Sequence, residues 1–247
     1  MEDKLNSFPK KEEKESSLKH LYTDFPYHKK IHTLDSWRVF RIISEIVEGF
    51  ETMTSLGPSV AVFGSSTETP SDFTYYNLAI EIAKKLVDKK FGIITGGGPG
   101  IMEAANKGAQ EAGGKSCGLC INISREEKPN PYIDQKYHLN HRYFFVRKVM
   151  LVRYAQAFIV LPGGFGTLDE FFEALTLIKT KKIKKFPIYL VGKEYWKGLI
   201  DWLRNTVVAK KNIDEEDLFL FTLTDDPDEI VNGIEENYRK TSTFENF

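Results

Sequence analysis

The segment "AFIVLPGGFGTLDEFFEALTLIKT", residues 157–180, decides the fold. It begins with an uninterrupted apolar run, breaks at a proline and three glycines, and continues with apolar residues at three- and four-residue steps. An apolar run without alternation is typical of a strand buried on both faces, whereas the later spacing is that of an amphipathic helix. The segment therefore predicts a buried strand, a tight turn and a helix in succession.

The same rhythm recurs on both sides of this segment. Apolar runs predict strands at 59–64, 91–98, 117–123, 186–192 and 218–225, with a further strand within 136–143. Helical periodicity predicts helices at 75–90, 100–113, 144–155, 194–211 and 227–238. Buried strands that alternate with helices form a mostly parallel sheet covered on both faces. The expected fold class is α/β, doubly wound, with helices on both faces and an extra N-terminal helix.

The N-terminal region differs from the rest of the chain. Residues 1–30 are rich in Lys, Glu and Ser, which predicts a disordered charged tail. A helix is predicted from Ser36 to Thr54, with Asp35 or Ser36 as its cap. Its apolar side chains define one stripe: Trp37, Phe40, Ile43, Val47, Phe50 and Met53. The expected regions are a tail at 1–30, a helical extension at 31–57 and one domain at 58–240.

Composition excludes several classes of protein. The 247 residues carry a formal net charge of -1, so a general affinity for nucleic acid or anionic membranes is not expected. No apolar run is long enough to span a membrane, and the charged N-terminus is not a secretory signal, so a cytoplasmic location is expected. Cys117 and Cys120 are spaced as C-x-x-C, but residues three apart on a strand point to opposite faces. Two ordinary buried thiols are predicted.

Three predicted strands end in glycine-containing turns. Gly64 and Ser65 end the first strand, "TGGGPGIME" (95–103) ends the second, and "LPGGFGTLDE" (161–170) ends the strand that comes before the 167–180 helix. Carboxyl ends of parallel strands share one edge of a sheet, and a glycine-rich helix N-terminus exposes backbone N–H groups to an anion. The simpler interpretation is that the glycines only make tight turns. Two clusters at equivalent ends favour a phosphate site.

Two similar motifs are rejected. Neither glycine cluster fits G-x-G-x-x-G, and no acidic residue is placed to bind a ribose, so a dinucleotide oxidoreductase is weakly supported. The segment "AQEAGGKS" (109–116) loosely resembles a phosphate-binding P-loop. A P-loop leads from a strand into a helix, whereas this segment leads from a helix into a strand.

The charged residues near these turns have competing interpretations. Thr167 and Glu170 fit a capping box, T-x-x-E, in which Glu170 only holds the helix end. The expected buried face consists of Leu168, Phe171, Phe172, Leu175 and Ile178. Glu170 is expected to project away from that face toward the mouth of the site, and Asp169 to face solvent. Arg147 and Lys148 belong either to a solvated basic side or to a phosphate contact.

The combination of "RK" at 147–148 and "PGGFGTLDE" at 162–170 resembles the PGGxGTxxE signature of the LOG family, in its bacterial long form. Members of this family are cytokinin-activating phosphoribohydrolases that were long misnamed lysine decarboxylases. The resemblance covers roughly residues 58–240. It implies a Rossmann-like nucleotide-binding domain, a homodimer and no metal or cofactor. The implied reaction is hydrolysis of the N-glycosidic bond of AMP or N6-modified AMP, which releases the free base and ribose 5-phosphate.

The resemblance also implies roles for individual residues. Arg147 and Glu170 would be the catalytic pair. The other expected substrate- and phosphate-binding residues are Gly64, Ser65, Gly97, Gly98, Glu103, Lys148, Gly163, Gly164, Phe165, Gly166, Thr167 and Thr176. The base that is preferred stays open. The alternative function is a non-catalytic carrier of a nucleotide or a phosphorylated cofactor, similar to the molybdenum cofactor carriers of the same fold.

Overall fold

The structure is a computed structural model that describes residues 31–67, 73–121 and 129–241, with side chains described from residue 37 onward. The predicted tail at 1–30 and most of the loop that precedes Asn130 lie outside these residues. The chain divides into two compact units between Arg41 and Ile42. The unit that begins at Ile42 contains every strand described below.

Helices and strands alternate as the sequence predicts. The helices are α1 Ile31–Leu56, α2 Phe73–Asp88, α3 Ile101–Glu111, α4 Phe144–Tyr154, α5 Phe165–Lys179, α6 Lys193–Trp202 and α7 Pro227–Thr241. The strands are β1 Ser59–Phe63, β2 Gly92–Thr95, β3 Ser116–Ile121, β4 His138–His141, β5 Ala155–Val160, β6 Ile188–Leu190 and β7 Thr222–Leu223. None of the described helices is long and apolar enough to cross a membrane.

The described strands form one seven-stranded sheet in the order β4-β3-β2-β1-β5-β6-β7, with every pair parallel. The chain runs outward from β1 through β4, then returns to add β5 on the other side of β1. In such a sheet the crevice beyond the carboxyl ends of the strands, where the direction of winding reverses, is the usual ligand site. Here that crevice lies between β1 and β5, with β2 beside it.

Apolar side chains cover both faces of the sheet, which confirms the doubly wound prediction. One core holds the inward faces of α4 and α5 against Phe63, Leu119 and Phe158. The other core packs α2, α3 and α7 against Val60, Ile93 and Ile159. Adjacent residues of β5 point into opposite cores, which is why its sequence is apolar throughout.

Two expectations at the edges of the fold are wrong. The predicted strand at 218–225 shrinks to Thr222–Leu223, and its first three residues belong to a 3-10 helix, Glu215–Leu220, that the Asp214–Asp217 capping box starts. In α1, the predicted apolar stripe is largely exposed: Trp37, Phe40, Ile43 and Val47 are each about half exposed or more. The last two residues of the stripe do pack, with Phe50 partly buried and Met53 fully buried. The packed side also includes Ile42, Ile46 and Leu56.

Candidate active site

Three strand ends come together at the predicted edge of the sheet. The backbone N–H of Ser65, after β1, donates to the carbonyl of Pro162, after β5, at 2.8 Å. The Ser65 carbonyl in turn accepts the N–H of Ile101, the first residue of α3, at 3.0 Å. Side chains would not fit at the crossing points: a Cβ at Gly64 would lie 2.5 Å from Ile101, and one at Gly163 2.9 Å from the Gly64 backbone. These glycines therefore serve close packing.

The glycine loop after β2 is closed by its own hydrogen bonds. The N–H of Gly97 donates to Thr95 Oγ1 at 2.9 Å, and the Gly97 carbonyl accepts the Asn130 N–H at 2.9 Å. Asn130 Nδ2 donates to the Gly98 carbonyl at 3.1 Å. A Cβ at Gly97, whose φ is +75°, would collide with Cys120 Sγ. The Gly97 N–H is thus already paired and not directed at a ligand.

A buried polar network holds this loop from behind. Asn106 Oδ1 accepts from Thr95 Oγ1 at 2.6 Å and from Asn130 Nδ2 at 2.9 Å. Asn106 Nδ2 donates to Ser116 Oγ at 2.8 Å. All four side chains are less than one-tenth exposed. Sequence analysis missed this network, since its members are single polar residues far apart along the chain.

The turn after β5 is open. Helix α5 begins at Phe165 after Gly164, and within the described part of the chain no side chain caps it. Gly164, Phe165 and Gly166 are exposed, and a Cβ at either glycine would meet nothing within 4 Å. The first N–H groups of an uncapped helix carry a partial positive charge and lack intrahelical partners. This turn is the one that an anion can approach.

The geometry of α5 overturns two predictions about Glu170. Because α5 begins at Phe165, Thr167 and Glu170 lie inside the helix, and the predicted capping box does not form. Glu170 is also only 3% exposed and shares the buried face with Thr167, Phe171, Ala174 and Ile178. The expectation that Glu170 projects away from the buried face is wrong, since the true face is rotated from the predicted one. Asp169 is exposed, as predicted.

Two cations from α4 approach the Glu170 carboxylate. Its Oε1 lies 3.5 Å from Lys148 Nζ and 3.9 Å from Arg147 Nη2. Its Oε2 is buried and accepts no hydrogen bond from the described residues. Burial raises the pKa of Glu170 to about 6, although Lys148 and Arg147 oppose the rise. The carboxyl group therefore titrates near pH 6 and has one buried oxygen without a hydrogen bond from the described residues.

The Arg147 side chain is mostly buried, between the Phe144 ring and the end of β2. Its guanidinium lies over the Phe144 ring, 5.1 Å from the centroid, and is 15% exposed. A Cβ at Gly96 would lie 3.6 Å from Nη1, so Arg147 reaches the end of β2. Its Nε is buried without a hydrogen-bond acceptor anywhere in the described ranges. Burial lowers the pKa of the Arg147 guanidinium, partly offset by Glu170. Arg147 is thus not on a solvated basic side.

Two neutral groups flank Arg147. Burial, together with the Arg147 charge, lowers the pKa of His141 to about 4, so its imidazole is neutral at pH 7. Burial raises the pKa of Cys120 to about 11. Both cysteines are free and buried, as predicted. Glu170 is consequently the ionisable acid that faces Arg147.

Lys148 is surrounded by carboxylates. Its Nζ lies 2.6 Å from Glu173, 2.9 Å from Asp169 and 3.5 Å from Glu170. Burial lowers the pKa of Lys148, but hydrogen bonds to Glu173 and Asp169 outweigh it and raise the value. Because three carboxylates surround one ammonium group, the positive charge of Lys148 is already neutralised within the cluster. This geometry suits Lys148 to positioning Glu170 better than to binding phosphate.

Two further predicted residues have local hydrogen-bond partners of their own. Thr176 lies in an open groove of about 770 Å³ along the outer face of α5, and its hydroxyl donates to the Phe172 carbonyl at 2.7 Å. The groove is lined by Lys148, Phe165, Leu168, Asp169, Phe172, Glu173, Thr176 and Leu177. Glu103, in the first turn of α3, accepts from Tyr76 Oη at 3.4 Å. Among the residues described, no cluster of His, Cys, Asp and Glu is arranged to hold a metal ion.

Part of the chain is similar to known proteins. Residues 102–234 match the family model described as possible lysine decarboxylase. The cytokinin riboside 5′-monophosphate phosphoribohydrolase LOG of Oryza sativa subsp. japonica is 31% identical over 122 residues, 48% of this chain. The match spans 49% of that relative, about half its length. An enzyme of the same name from Rhodococcoides fascians is 26% identical over 61% of this chain and 83% of its own.

Solved structures share the fold at lower identity. The molybdenum cofactor carrier protein of Chlamydomonas reinhardtii superposes with a TM-score of 0.51 and 20% identity, over 74% of this chain and 99% of that protein. The molybdenum cofactor binding protein of Rippkaea orientalis gives the same TM-score at 19% identity, over 73% of this chain and 96% of its own. These likenesses support the Rossmann-like architecture.

Proposed function

The chain belongs to the LOG family, whose model is described as possible lysine decarboxylase, and from that membership we propose that it is a nucleoside 5′-monophosphate phosphoribohydrolase. The substrate is AMP or an N6-modified AMP, and the products are the free base and ribose 5-phosphate. Relatives in rice and in a bacterium are named for this reaction on cytokinin riboside 5′-monophosphates. Homodimer formation stays a prediction from the family resemblance.

The observation that carries the proposal is the pairing of Glu170 with an open helix N-terminus. Glu170 is buried, ionises near neutral pH and has one oxygen without a hydrogen bond from the described residues. The exposed turn at Gly164–Gly166 begins the same helix, less than two turns away. An anionic phosphate suits the helix N-terminus, and a fixed carboxylate suits the cationic ribose of a breaking glycosidic bond.

The chemistry follows from these two groups. Cleavage of the C1′–N bond builds oxocarbenium character on the ribose, and the Glu170 carboxylate stabilises that charge. Water then adds its oxygen to C1′ while Glu170 accepts the proton that water releases. The electron pair of the broken bond leaves with the base, which takes up, by way of solvent, the proton that Glu170 accepted, so that the carboxylate is regenerated. Arg147 donates to the substrate and favours the departing base, since its Nε has no acceptor within the described chain.

The predicted phosphate-binding residues divide into two groups in this proposal. Backbone N–H groups of Phe165, Gly166 and Thr167 bind the phosphate, with Gly164 allowing close approach. Gly64, Ser65, Gly97, Gly98 and Gly163 shape the surrounding loops instead of binding directly. Lys148 holds Glu170 in place. Glu103 and Thr176 lie outside the reacting centre.

A product assay with purified protein tests the proposal. AMP and a panel of other nucleoside monophosphates are assayed for release of free base by the wild type and by Glu170→Gln, with Glu236→Gln, an exposed change on α7, as the control. We expect base release by the wild type and the control, and a loss of at least about 1000-fold in Glu170→Gln because the amide cannot accept a proton. Nucleotide binding without release across the panel, unchanged in Glu170→Gln, would favour the carrier function instead.

A further inference from the structure

Glu45, on the N-terminal helix α1, holds the backbone at the start of α4. Its Oε1 and Oε2 accept the N–H of Arg142 at 3.2 and 3.1 Å, and Oε2 accepts the N–H of Tyr143 at 3.4 Å. The side chain is 16% exposed. Tyr143 is the residue that precedes α4, so Glu45 supplies an acceptor from another helix at an N-terminus that has no side-chain cap within α4 itself. We call this contact the Glu45 clasp.

One residue, Tyr143, connects the clasp to Arg147 through backbone hydrogen bonds. The Tyr143 N–H is bound by Glu45, and the Tyr143 carbonyl accepts the backbone N–H groups of Val146 and Arg147 at 3.2 and 3.4 Å. A negative charge at a helix N-terminus also complements the helix dipole. The position of the first turn of α4, and with it the root of the Arg147 side chain, therefore depends on a residue of α1.

Further contacts fix α1 beside the second half of α4. A Cβ at Gly49 would lie 2.7 Å from Met150 Cε, so the glycine admits the Met150 side chain against α1. The Phe50 and Tyr154 rings meet edge to face at 6.3 Å, and Thr54 Oγ1 lies 3.4 Å from the Tyr154 hydroxyl. The clasp and these contacts bracket Arg147 and Lys148 from both ends of α4.

His141 does not compete for the carboxylate at neutral pH. Its Nδ1 lies 3.8 Å from Glu45 Oε2, beyond hydrogen-bond distance. Burial and the Arg147 charge keep the imidazole neutral, since they lower its pKa to about 4. The Glu45 oxygens are consequently committed to the two backbone N–H groups.

We infer that Glu45 is a positioning residue, through which the N-terminal helix sets the placement of Arg147 in the active site. The inference rests on the proposed function in that Arg147 serves turnover, but the clasp itself is a structural statement. Helix α1 lies outside the residues that match the family model. Through the Glu45 clasp it nevertheless contributes to the geometry of the active site. Loss of the clasp should lower kcat, whereas the affinity for substrate and the free energy of unfolding should change little.

The test uses the full chain with Glu45→Ala, Glu45→Gln and the control Glu48→Ala, an exposed glutamate on the same helix. Three quantities are measured: hydrogen exchange of the backbone at 142–150, kcat and KM for AMP, and the AMP dissociation constant. We expect faster exchange at 142–150 in Glu45→Ala and a fall in kcat of about tenfold with little change in KM, since small misplacements of a catalytic group are costly. Glu45→Gln keeps an acceptor oxygen and should recover part of the loss.

The possible outcomes separate the clasp from the function. Exchange in Glu45→Ala equal to that in Glu48→Ala would overturn the clasp. Faster exchange with unchanged kcat in an active enzyme would overturn the positioning role. If the wild type releases no base from AMP, the proposed function fails, and the clasp is judged by hydrogen exchange alone. Faster exchange at 142–150 in Glu45→Ala than in Glu48→Ala would then support it, and equal exchange would refute it.

Discussion

The two glycine-rich loops look alike in sequence and differ in structure. In the loop after β2, the Gly97 N–H, the Gly97 carbonyl and the Gly98 carbonyl are all bound by Thr95 and Asn130. In the turn after β5, Gly164 and Gly166 face open space at an uncapped helix end. Both loops lie at the carboxyl edge of one sheet. Glycine content alone therefore does not distinguish a loop whose backbone groups are hydrogen-bonded within the protein from a loop whose backbone groups can bind a ligand.

The glycines of the two loops differ in what occupies the position that a Cβ atom would take. At Gly97 the space is taken by Cys120, at Gly64 by the Ile101 side chain, and at Gly163 by the Thr167 side chain and the Gly64 backbone. At Gly164 and Gly166 nothing occupies it. A glycine that is crowded by its own protein serves packing, whereas a glycine without crowding leaves its backbone accessible to another molecule. Each prediction below tests one side of this contrast.

The largest effect on AMP binding is expected from a negative charge in the open turn. Gly166→Asp should weaken AMP binding by roughly 100-fold, since like charges near a protein surface repel by a few kcal/mol. The protein should stay at least as stable, because an acid in the first turn of a helix is favourable. Calorimetric titration with AMP and thermal unfolding measure both. Gly166→Asn, the neutral counterpart, should bind far better than Gly166→Asp, and equal losses in the two variants would argue against a phosphate at this turn.

A pair of alanine substitutions tests the closed loop. Gly97 and Gly113 have similar positive φ values, 75° and 70°, but only Gly97 is crowded. Gly113→Ala should cost about 1 kcal/mol for backbone strain alone, whereas Gly97→Ala should cost about 3 kcal/mol because overpacking adds to it. Urea denaturation gives both values. Equal losses would mean that the Cys120 side chain moves aside and that Gly97 is not required for packing.

Glu170 should make stability depend on pH. Its pKa is raised by burial to about 6 from an ordinary 4.5, so the folded state binds this proton more tightly than the unfolded state. That contribution is complete below pH 4.5 and is lost as the pH rises through about 6. Wild type should consequently be less stable than Glu170→Gln at pH 8 by about 2 kcal/mol, and the gap should narrow toward pH 4.

Denaturation of both proteins at pH 4 and pH 8 checks this prediction. If the difference in the free energy of unfolding between wild type and Glu170→Gln does not change with pH, the Glu170 carboxylate lies in a more polar environment than its burial indicates. Turnover should rise with pH through the same range, since the ionised carboxylate is the reactive form.

The smallest effect is expected at Tyr195, which supports the open turn from α6. Its hydroxyl donates to the Gly163 carbonyl at 2.7 Å, and the side chain is 51% exposed. Tyr195→Phe should cost about 0.5–1 kcal/mol of stability and weaken AMP binding only a few-fold, as for one neutral hydrogen bond. Titration and thermal unfolding measure it. A loss as large as that of Gly166→Asp would show that the turn has no fixed shape without the tyrosine.

Sequence periodicity predicted the sheet because each strand has one uniform environment. Residues of β5 are buried on both faces, and an unbroken apolar run is the direct result. The glycine turns were placed correctly for the same reason, since they mark where those runs stop.

The interior of the site was less predictable. Glu170 was assigned to the exposed side of α5 because the buried face was judged from apolar residues alone. In the structure, Lys148 and Arg147 of α4 lie near its carboxylate and allow an acid on the buried side. Asn106 and Asn130 give no local signal, since their partners are distant in sequence. The predicted stripe of α1 was right at its end, where Phe50 and Met53 pack, and wrong before it, where the stripe residues up to Val47 are exposed. Gly49, which no stripe of apolar residues marks, admits Met150 of α4.

The burial of Met53 and Leu56 has a consequence for where a minimal version of this protein can start. Both side chains are at most 2% exposed and belong to the core beneath α4 and β3. A chain that starts at residue 58 would lose both and leave the core with unfilled volume, at a cost of about 2–5 kcal/mol for each large side chain removed. It would lose the Glu45 clasp as well. The shortest version expected to fold and keep its active-site geometry therefore starts no later than Ile42, where the compact unit begins.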